Sequence, residues 1–287
     1  MMDDTTRQRA IDLYDRFTHD GMERRDFMAE MVKLVGSVAA AELLIAGIAA
    51  SPAAAAQIAE NDPHIVTRTQ TLAGGYKAYV AEPRTRSLKA TVLVVHENRG
   101  LNDHIRDVAR RVAIAGYRAV APDMLSLSGG TPSNEDAARD AIGKLDLGRS
   151  VNDAVAIVDE LAKSSRGGKV GAVGFCWGGG FVNRLAIAAG RKLAAAVPYY
   201  GPAPDPSEAP KVQAAMEFHN AGLDDRVNTT SFPWVAALRN AGKTVKFFLY
   251  DGVNHAFNND TSAERYNKPA ANLAWKRTLA FFRQHLA

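Results

Sequence analysis

The chain has 287 residues, 47% of them apolar and 23% charged, a balance that suits one large or two small globular domains and excludes a wholly disordered chain. Thirty-five basic residues against 31 acidic ones leave a net charge of +4, and both signs are scattered without a long like-charged run, so nucleic acid is not an expected partner. One cysteine excludes an internal disulfide, and no His/Cys pattern has zinc-ligand spacing, so neither a metal nor an organic cofactor is expected.

The first sixty residues differ from the rest. Residues 1–23 are polar and helix-compatible, with Ile11, Tyr14 and Phe17 recurring at three-residue steps. Arg24-Arg25-Asp26-Phe27-Met28 follows, then an apolar stretch over 34–50 and the small-residue run Ser51-Pro52-Ala53-Ala54-Ala55-Ala56. Twin arginines, an apolar segment and an Ala-x-Ala end resemble a bacterial twin-arginine export signal. That reading predicts an exported, periplasmic protein whose mature chain begins near residue 57. Glu42 interrupts the apolar stretch and the arginines stand far from the start, which suits the alternative, an uncleaved helix packed on the body of a cytoplasmic protein. No stable membrane anchor is expected, because a charge at the bilayer centre costs roughly 3 kcal/mol.

From about residue 62 strands and helices alternate. Residues 71–83 (TLAGGYKAYVAEP) read as a hairpin edge with its turn at Gly74-Gly75. Residues 90–96 (ATVLVVH) form a short β-branched run without a polar face, the mark of a strand buried on both sides. A helix is expected over 103–115, a strand over 117–122, a long helix over 135–163, a strand over 169–175 and a helix over 177–189. Strands over 193–199, 214–219 and 244–250 and helices over 230–240 and 263–285 complete the chain. Strands separated by helices of this length imply right-handed crossovers and a mostly parallel sheet covered on both faces. The expected organisation is an N-terminal segment over 1–60 and one α/β domain over 61–287.

The chemistry centres on Cys176. Gly174-Phe175-Cys176-Trp177-Gly178 joins a buried strand to a helix and has the form of a nucleophile elbow, with cysteine in the place usually held by serine. Such a turn lifts the side chain above the carboxyl ends of the strands and sets it at a helix N-terminus, which favours an anion. A thiol in water is only a few per cent ionised at neutral pH, so it needs activation. This architecture orders its triad nucleophile, acid, histidine. Of the three histidines after Cys176, His285 lies in the terminal helix, His219 ends a strand, and His255 stands in a loop directly after the last strand, where a general base belongs. The acid falls in the loop Ala221-Gly222-Leu223-Asp224-Asp225; spacing leaves either aspartate open, and Asp224 is the choice. The backbone N–H groups of Trp177 and Asn98 are the expected oxyanion hole. Glu97, in His96-Glu97-Asn98-Arg99-Gly100, is either a pocket carboxylate or a structural partner of Arg99.

Together these motifs carry a resemblance. From about Tyr76 onward, His96-Glu97-Asn98-Arg99-Gly100-Leu101-Asn102, Ala121-Pro122-Asp123, the cysteine elbow, Asp224 and His255-Ala256-Phe257 resemble the dienelactone hydrolase (carboxymethylenebutenolidase) family of the α/β-hydrolase fold. The resemblance implies that Cys176, Asp224 and His255 form the triad, that Glu97 holds the resting thiol neutral and takes its proton when substrate arrives, and that a small ester or lactone is cleaved through an acyl-thioester. Family members that act on dienelactone hold its carboxylate with two arginines. Leu127 and Asn259 stand at the corresponding places here, leaving Arg99 as the expected substrate-binding cation. Two other readings of the same fold are an esterase or thioesterase for unrelated acyl substrates and a ligand-binding protein without catalysis.

Overall fold

A computed structural model describes residues 3–49, 56–84, 90–165 and 168–287. The small-residue run at 51–55, where the expected export-signal cleavage region begins, lies outside the described residues. The body is an eight-stranded sheet made of β1 (Ile65–Thr71), β2 (Lys77–Pro83), β3 (Thr91–Val95), β4 (Arg118–Pro122), β5 (Val170–Phe175), β6 (Ala195–Tyr199), β7 (Ala215–Ala221) and β8 (Val245–Tyr250), in the order β1-β2-β4-β3-β5-β6-β7-β8. β1 and β2 form the antiparallel hairpin and β2 meets β4 antiparallel; every later pairing is parallel. The nucleophile strand β5 thus sits in the interior of the parallel part, between β3 and β6.

The β-branched runs are apolar throughout because both faces are covered. In β3, Val92 and Val94 point to the layer of α4 (Asp103–Ile114) and α9 (Lys268–Leu286), where Ile105, Val108, Phe281 and Phe282 pack. Leu93 and Val95 point to the layer of α6 (Leu147–Ser164), α7 (Trp177–Ala188) and α8 (Asp225–Asn240), against Ile157, Phe181 and Trp234. Two apolar layers divided by strands that alternate their side chains follow from the period of two in extended chain.

Two helices differ from the sequence-based expectation in ways that shape the site. The long helix expected over 135–163 is broken into α5 (Glu135–Gly143) and α6, because Asp146 caps a new helix by accepting from the Arg149 N–H at 2.9 Å. Helix α8 begins at Asp225, five residues early, because Asp224 caps it by accepting from the Val227 N–H at 3.1 Å.

The N-terminal segment folds as α1 (Asp4–His19), α2 (Arg24–Val35) and α3 (Val38–Ile48). They share an apolar cluster of their own in which Tyr14, Phe17 and Phe27 pack ring against ring, Phe17 and Phe27 stacked at 4.3 Å. No single helix among the described residues is long and apolar enough to cross a membrane; α2 and α3 would pass only together, and they are bent by 107°.

Candidate active site

Cys176 stands between the end of β5 and the start of α7 with φ 54° and ψ −116°, a backbone conformation that side-chain-bearing residues rarely adopt and that persists only where the surroundings enforce it. The flanking glycines let the turn close. A Cβ on Gly174 would lie 2.2 Å from the Gly178 carbonyl oxygen, and one on Gly178 would lie 2.4 Å from the His96 oxygen and 2.5 Å from the Val95 oxygen. Cys176 N–H donates to the Tyr199 oxygen at 3.1 Å, and its own carbonyl accepts from Gly180 N–H at 3.1 Å. Two further non-glycine residues have positive φ among the described residues, Tyr200 at 34° and Ala256 at 63°. Tyr200 packs its ring against His255 at 5.0 Å, and Ala256 follows that histidine in the chain. Backbone strain is therefore gathered around one point.

The loops after β7 and β8 are stitched together by Gly222 N–H to Tyr250 O at 2.8 Å and Leu223 N–H to Val253 O at 3.0 Å. This brings His255 to Asp224: Nδ1 donates to Oδ2 at 2.5 Å, and both side chains are buried. Asp224 thus divides its oxygens, Oδ1 on the α8 cap and Oδ2 on the imidazole. Asp225 is exposed on the first turn of α8. Burial alone would favour neutral His255, but the Asp224 carboxylate and the Cys176 sulfur prevail and raise its pKa from 6.5 to about 10. Burial likewise opposes ionisation of Asp224, yet the facing imidazolium and its hydrogen bond lower that carboxyl below the usual range. His255 Nε2 is buried without a hydrogen-bond partner and lies within 4.8 Å of the Cys176 sulfur.

The loop after β3 supplies the opposite wall. His96 is buried; its Nε2 accepts from Met124 N–H at 3.2 Å, so the proton is on Nδ1, which donates to the Glu97 carbonyl at 2.7 Å. Burial keeps this imidazole neutral, and its ring stacks on Trp177 at 5.4 Å. The Glu97 carboxylate is buried; Oε2 accepts from Asn259 Nδ2 at 2.8 Å, while Oε1 has no partner. Asn259 therefore holds Glu97. Trp177 is the first residue of α7, so its N–H has no acceptor within the helix. The Asn98 side chain donates to the Thr18 carbonyl at 3.4 Å. Arg99 departs from one expectation for it, the pairing with Glu97, and lines a small pocket that also touches Cys176 and Glu97. Its guanidinium donates to the Glu135 carbonyl at 2.9 Å, to Asp136 at 3.4 Å and to the Tyr14 hydroxyl at 2.9 Å, so it ties the N-terminal helices to α5, and Glu97 is not its partner. Leu127 is half exposed on the turn after β4, beside Gly75.

The last wall comes from α1. His19 places Nε2 3.9 Å from the Cys176 sulfur, and its ring meets that of His255 at 5.0 Å. Burial and the nearby cations His255, Arg226, Arg265 and Arg99 hold His19 well below the ordinary histidine pKa, so it is neutral. A cleft of about 740 Å3 runs from Cys176 and Trp177 between the N-terminal helices and α5, lined also by Phe17, Met22, Ile142 and Arg226. Beneath it a pocket of about 20 Å3, the space of a single water molecule, touches Cys176, Glu97, His255, Asn259 and Arg265.

The sulfur of Cys176 and one ring nitrogen each of His19 and His255 lie within 4.8 Å of one another, a donor set of the kind that binds zinc, with Cys176 and His19 157 residues apart in the chain. His19, Arg226 and Arg265 are not legible as site residues in the sequence because each reaches the site through tertiary packing, whereas Asn259 is marked there only as a clamp position without its arginine. The one hint is the Ile11, Tyr14, Phe17 spacing, which marks an apolar stripe with His19 at its end.

Residues 76–286 match the dienelactone hydrolase family. A putative carboxymethylenebutenolidase of Saccharolobus solfataricus is 31% identical over 245 residues, covering 72% of this chain and 93% of the relative. The crystal structure of a putative dienelactone hydrolase from Klebsiella pneumoniae superposes with a TM-score of 0.68 at 27% identity, covering 77% of this chain and 99% of that one. A crystal structure of a mutant of the esterase rPPE shares the fold over 99% of this chain and 98% of its own at a TM-score of 0.64 and 15% identity. With the family match spanning most of its length, and the cysteine elbow and sheet order already in place, this chain belongs to the dienelactone hydrolase family and is a hydrolase of that type.

Proposed function

We propose that the protein hydrolyses a small ester or lactone by nucleophilic catalysis at Cys176, with His255 as general base and acid and Asp224 as the carboxylate that orients it. One observation carries the reading: a buried Asp224–His255 pair at 2.5 Å whose free Nε2 faces a cysteine held in a strained elbow. The Cys176 sulfur attacks the substrate carbonyl carbon as its proton passes to the Glu97 carboxylate, while Asp224 holds His255 as the imidazolium. Negative charge then develops on the carbonyl oxygen, and the N–H groups of Trp177 and Asn98 receive it. Collapse of the tetrahedral species breaks the ester C–O bond, and His255 gives its Nε2 proton to the leaving oxygen. The acyl-thioester is then attacked by water, which gives its proton to His255 and releases the acid and Cys176. Glu97, with one oxygen held by Asn259 and the other free in the pocket, is the group that takes the thiol proton when substrate enters and returns it to the sulfur once the acid has left.

The test is a panel of neutral lactones, carboxylate-bearing lactones and aryl esters assayed with the full chain and with Cys176→Ala. Hydrolysis by the wild type that disappears in the variant supports the reading, whereas full activity in Cys176→Ala refutes it. A protein inert toward every member of the panel would favour the ligand-binding alternative.

Export by the twin-arginine route, supported by Arg24-Arg25 and the apolar residues that follow, is the rival reading of the N-terminal segment to an uncleaved helix packed on the body. Replacing both arginines by lysine should retain the protein in the cytoplasm; unchanged export would refute it.

A further inference from the structure

We propose that the three N-terminal helices are a permanent cap of the active site and that His19, at the end of α1, is a catalytic residue that hydrogen-bonds the Cys176 sulfur and closes the acyl side of the cleft. The inference rests on Cys176 being the nucleophile.

Three observations carry it. First, His19 reaches the reacting atom: its Nε2 is 3.9 Å from the sulfur and its ring lies against that of His255. His255 already has Asp224 on Nδ1, so the two imidazoles are not equivalent. A neutral imidazole with its proton on Nε2 donates to a thiolate and leaves the proton-transfer role to His255. Secondly, the cap is bound by contacts that the body cannot satisfy alone, those of Arg99, Arg265 and Ser262 among them buried. The Arg99 guanidinium uses the Tyr14 hydroxyl at 2.9 Å, Arg265 lies 3.3 Å from Asp15 and covers the Tyr14 ring at 5.1 Å, and Ser262 Oγ donates to the Ile48 carbonyl at 2.6 Å. Glu264 N–H donates to the Gly47 carbonyl at 3.0 Å, Arg24 pairs with Asp136, and Arg139 lies over the Phe17 ring at 4.4 Å. Cleavage near residue 57 would strip Arg99 and Arg265, both buried, of these partners. Thirdly, the 740 Å3 cleft exists only between the two units: Phe17, His19 and Met22 of the cap face Asn98, Trp177 and Pro202 of the body. The likeness to the esterase fold, which spans 99% of this chain, includes these helices.

A cap set this close to the sulfur limits the acyl group. With His19 in place the space above the nucleophile suits a short acyl chain, while the rest of the cleft, which Met22 and Ile142 also line, takes the alcohol part of the ester.

The experiment uses the full chain with His19→Ala and His19→Gln, alongside Cys176→Ala. The readouts are kcat and KM for aryl esters of graded acyl length, the rate of iodoacetamide alkylation, and the thermal midpoint. The expected result for His19→Ala is a tenfold or greater loss of kcat/KM on the acetate, slower alkylation, and a preference displaced toward longer acyl chains. His19→Gln, which keeps a donor and much of the volume, should recover part of the rate. Unchanged kinetics and alkylation in both variants, with Cys176→Ala inactive, would overturn this inference and leave the Cys176 reading standing; activity in Cys176→Ala would overturn both. Should His19→Ala fail to fold, intact mass decides on the wild type: active protein recovered from its native compartment carrying the N-terminal helices supports the proposal, and active protein beginning near residue 57 overturns it.

Discussion

Replacing Asp224 by asparagine isolates the electrostatic part of the site, because the folding role of that residue survives the change. Asp224 Oδ1 caps α8 through Val227 N–H at 3.1 Å, and asparagine caps helices as well as aspartate does. What is lost is the charge 2.5 Å from His255 Nδ1. Holding His255 at about 10 rather than 6.5 corresponds to roughly 5 kcal/mol at about 1.4 kcal/mol per pH unit, and Asp224 supplies most of what overcomes the opposing burial. The expected loss in kcat/KM is about 10^3- to 10^4-fold, or roughly 4 to 5.5 kcal/mol of transition-state stabilisation. The assay is aryl acetate hydrolysis at one pH and ionic strength, with Asp225→Asn as the companion variant; Asp225 is exposed, so its rate should stay within about twofold of wild type. Stability carries a second signature. His255 is raised in the folded state, so the pair's full contribution is present below pH 6.5 and is lost as pH climbs toward about 10. Asp224 is lowered, so its contribution is present above its ordinary pKa of 3.8 and fails as pH falls through the lowered value. The difference in unfolding free energy between wild type and Asp224→Asn should therefore be largest near pH 5 to 6.5 and shrink toward pH 10. An Asp224→Asn rate within tenfold of wild type, or an equal loss in Asp225→Asn, would refute the assignment.

Other substitutions probe the walls of the site. Gly178→Ala, whose Cβ would lie 2.4 Å from the His96 oxygen, should destabilise the fold by about 3 kcal/mol or more and remove activity, as read by thermal unfolding; a wild-type midpoint would contradict the elbow geometry. Glu97→Gln removes a negative charge from the pocket shared with Cys176 and should accelerate iodoacetamide alkylation about threefold or more, whereas an unchanged rate would show that the carboxylate does not act on the sulfur. Arg226 lines the cleft beside Cys176 and forms no ion pair among the described residues, so Arg226→Gln should lower kcat/KM for a carboxylate-bearing lactone about threefold more than for its methyl ester. Equal effects on the two would place the substrate's charge elsewhere.

Residues that meet through the local chain are legible in the sequence. The elbow is legible because a strand, a positive-φ turn and a helix need glycine two positions either side of Cys176, and those glycines are in the sequence itself. The loop order puts His255 within reach of Asp224, and the α8 cap separates Asp224 from Asp225 once the helix is known to begin at 225. The break between α5 and α6 is obscured because apolar residues recur on both sides of it, and the decisive signal is a single capping aspartate, Asp146. Arg99 lines the small pocket with Glu97 and Asn98, its neighbours in sequence, while its partners Tyr14 and Asp136 come from distant segments and are not legible there. His19 is beyond sequence reasoning for the same reason, and the twin arginines point toward export in the sequence while Arg24 is engaged with Asp136 on the body in the fold.

The central claim is a covalent bond at one sulfur. The measurement is mass spectrometry of the full-length protein mixed with an aryl acetate, quenched in acid within a single turnover and digested. One acetyl group is expected on the peptide containing Cys176, labile to hydroxylamine and absent from Cys176→Ala. Turnover with no acylated Cys176 at any quench time, or an acetyl group carried on a different residue, would contradict it.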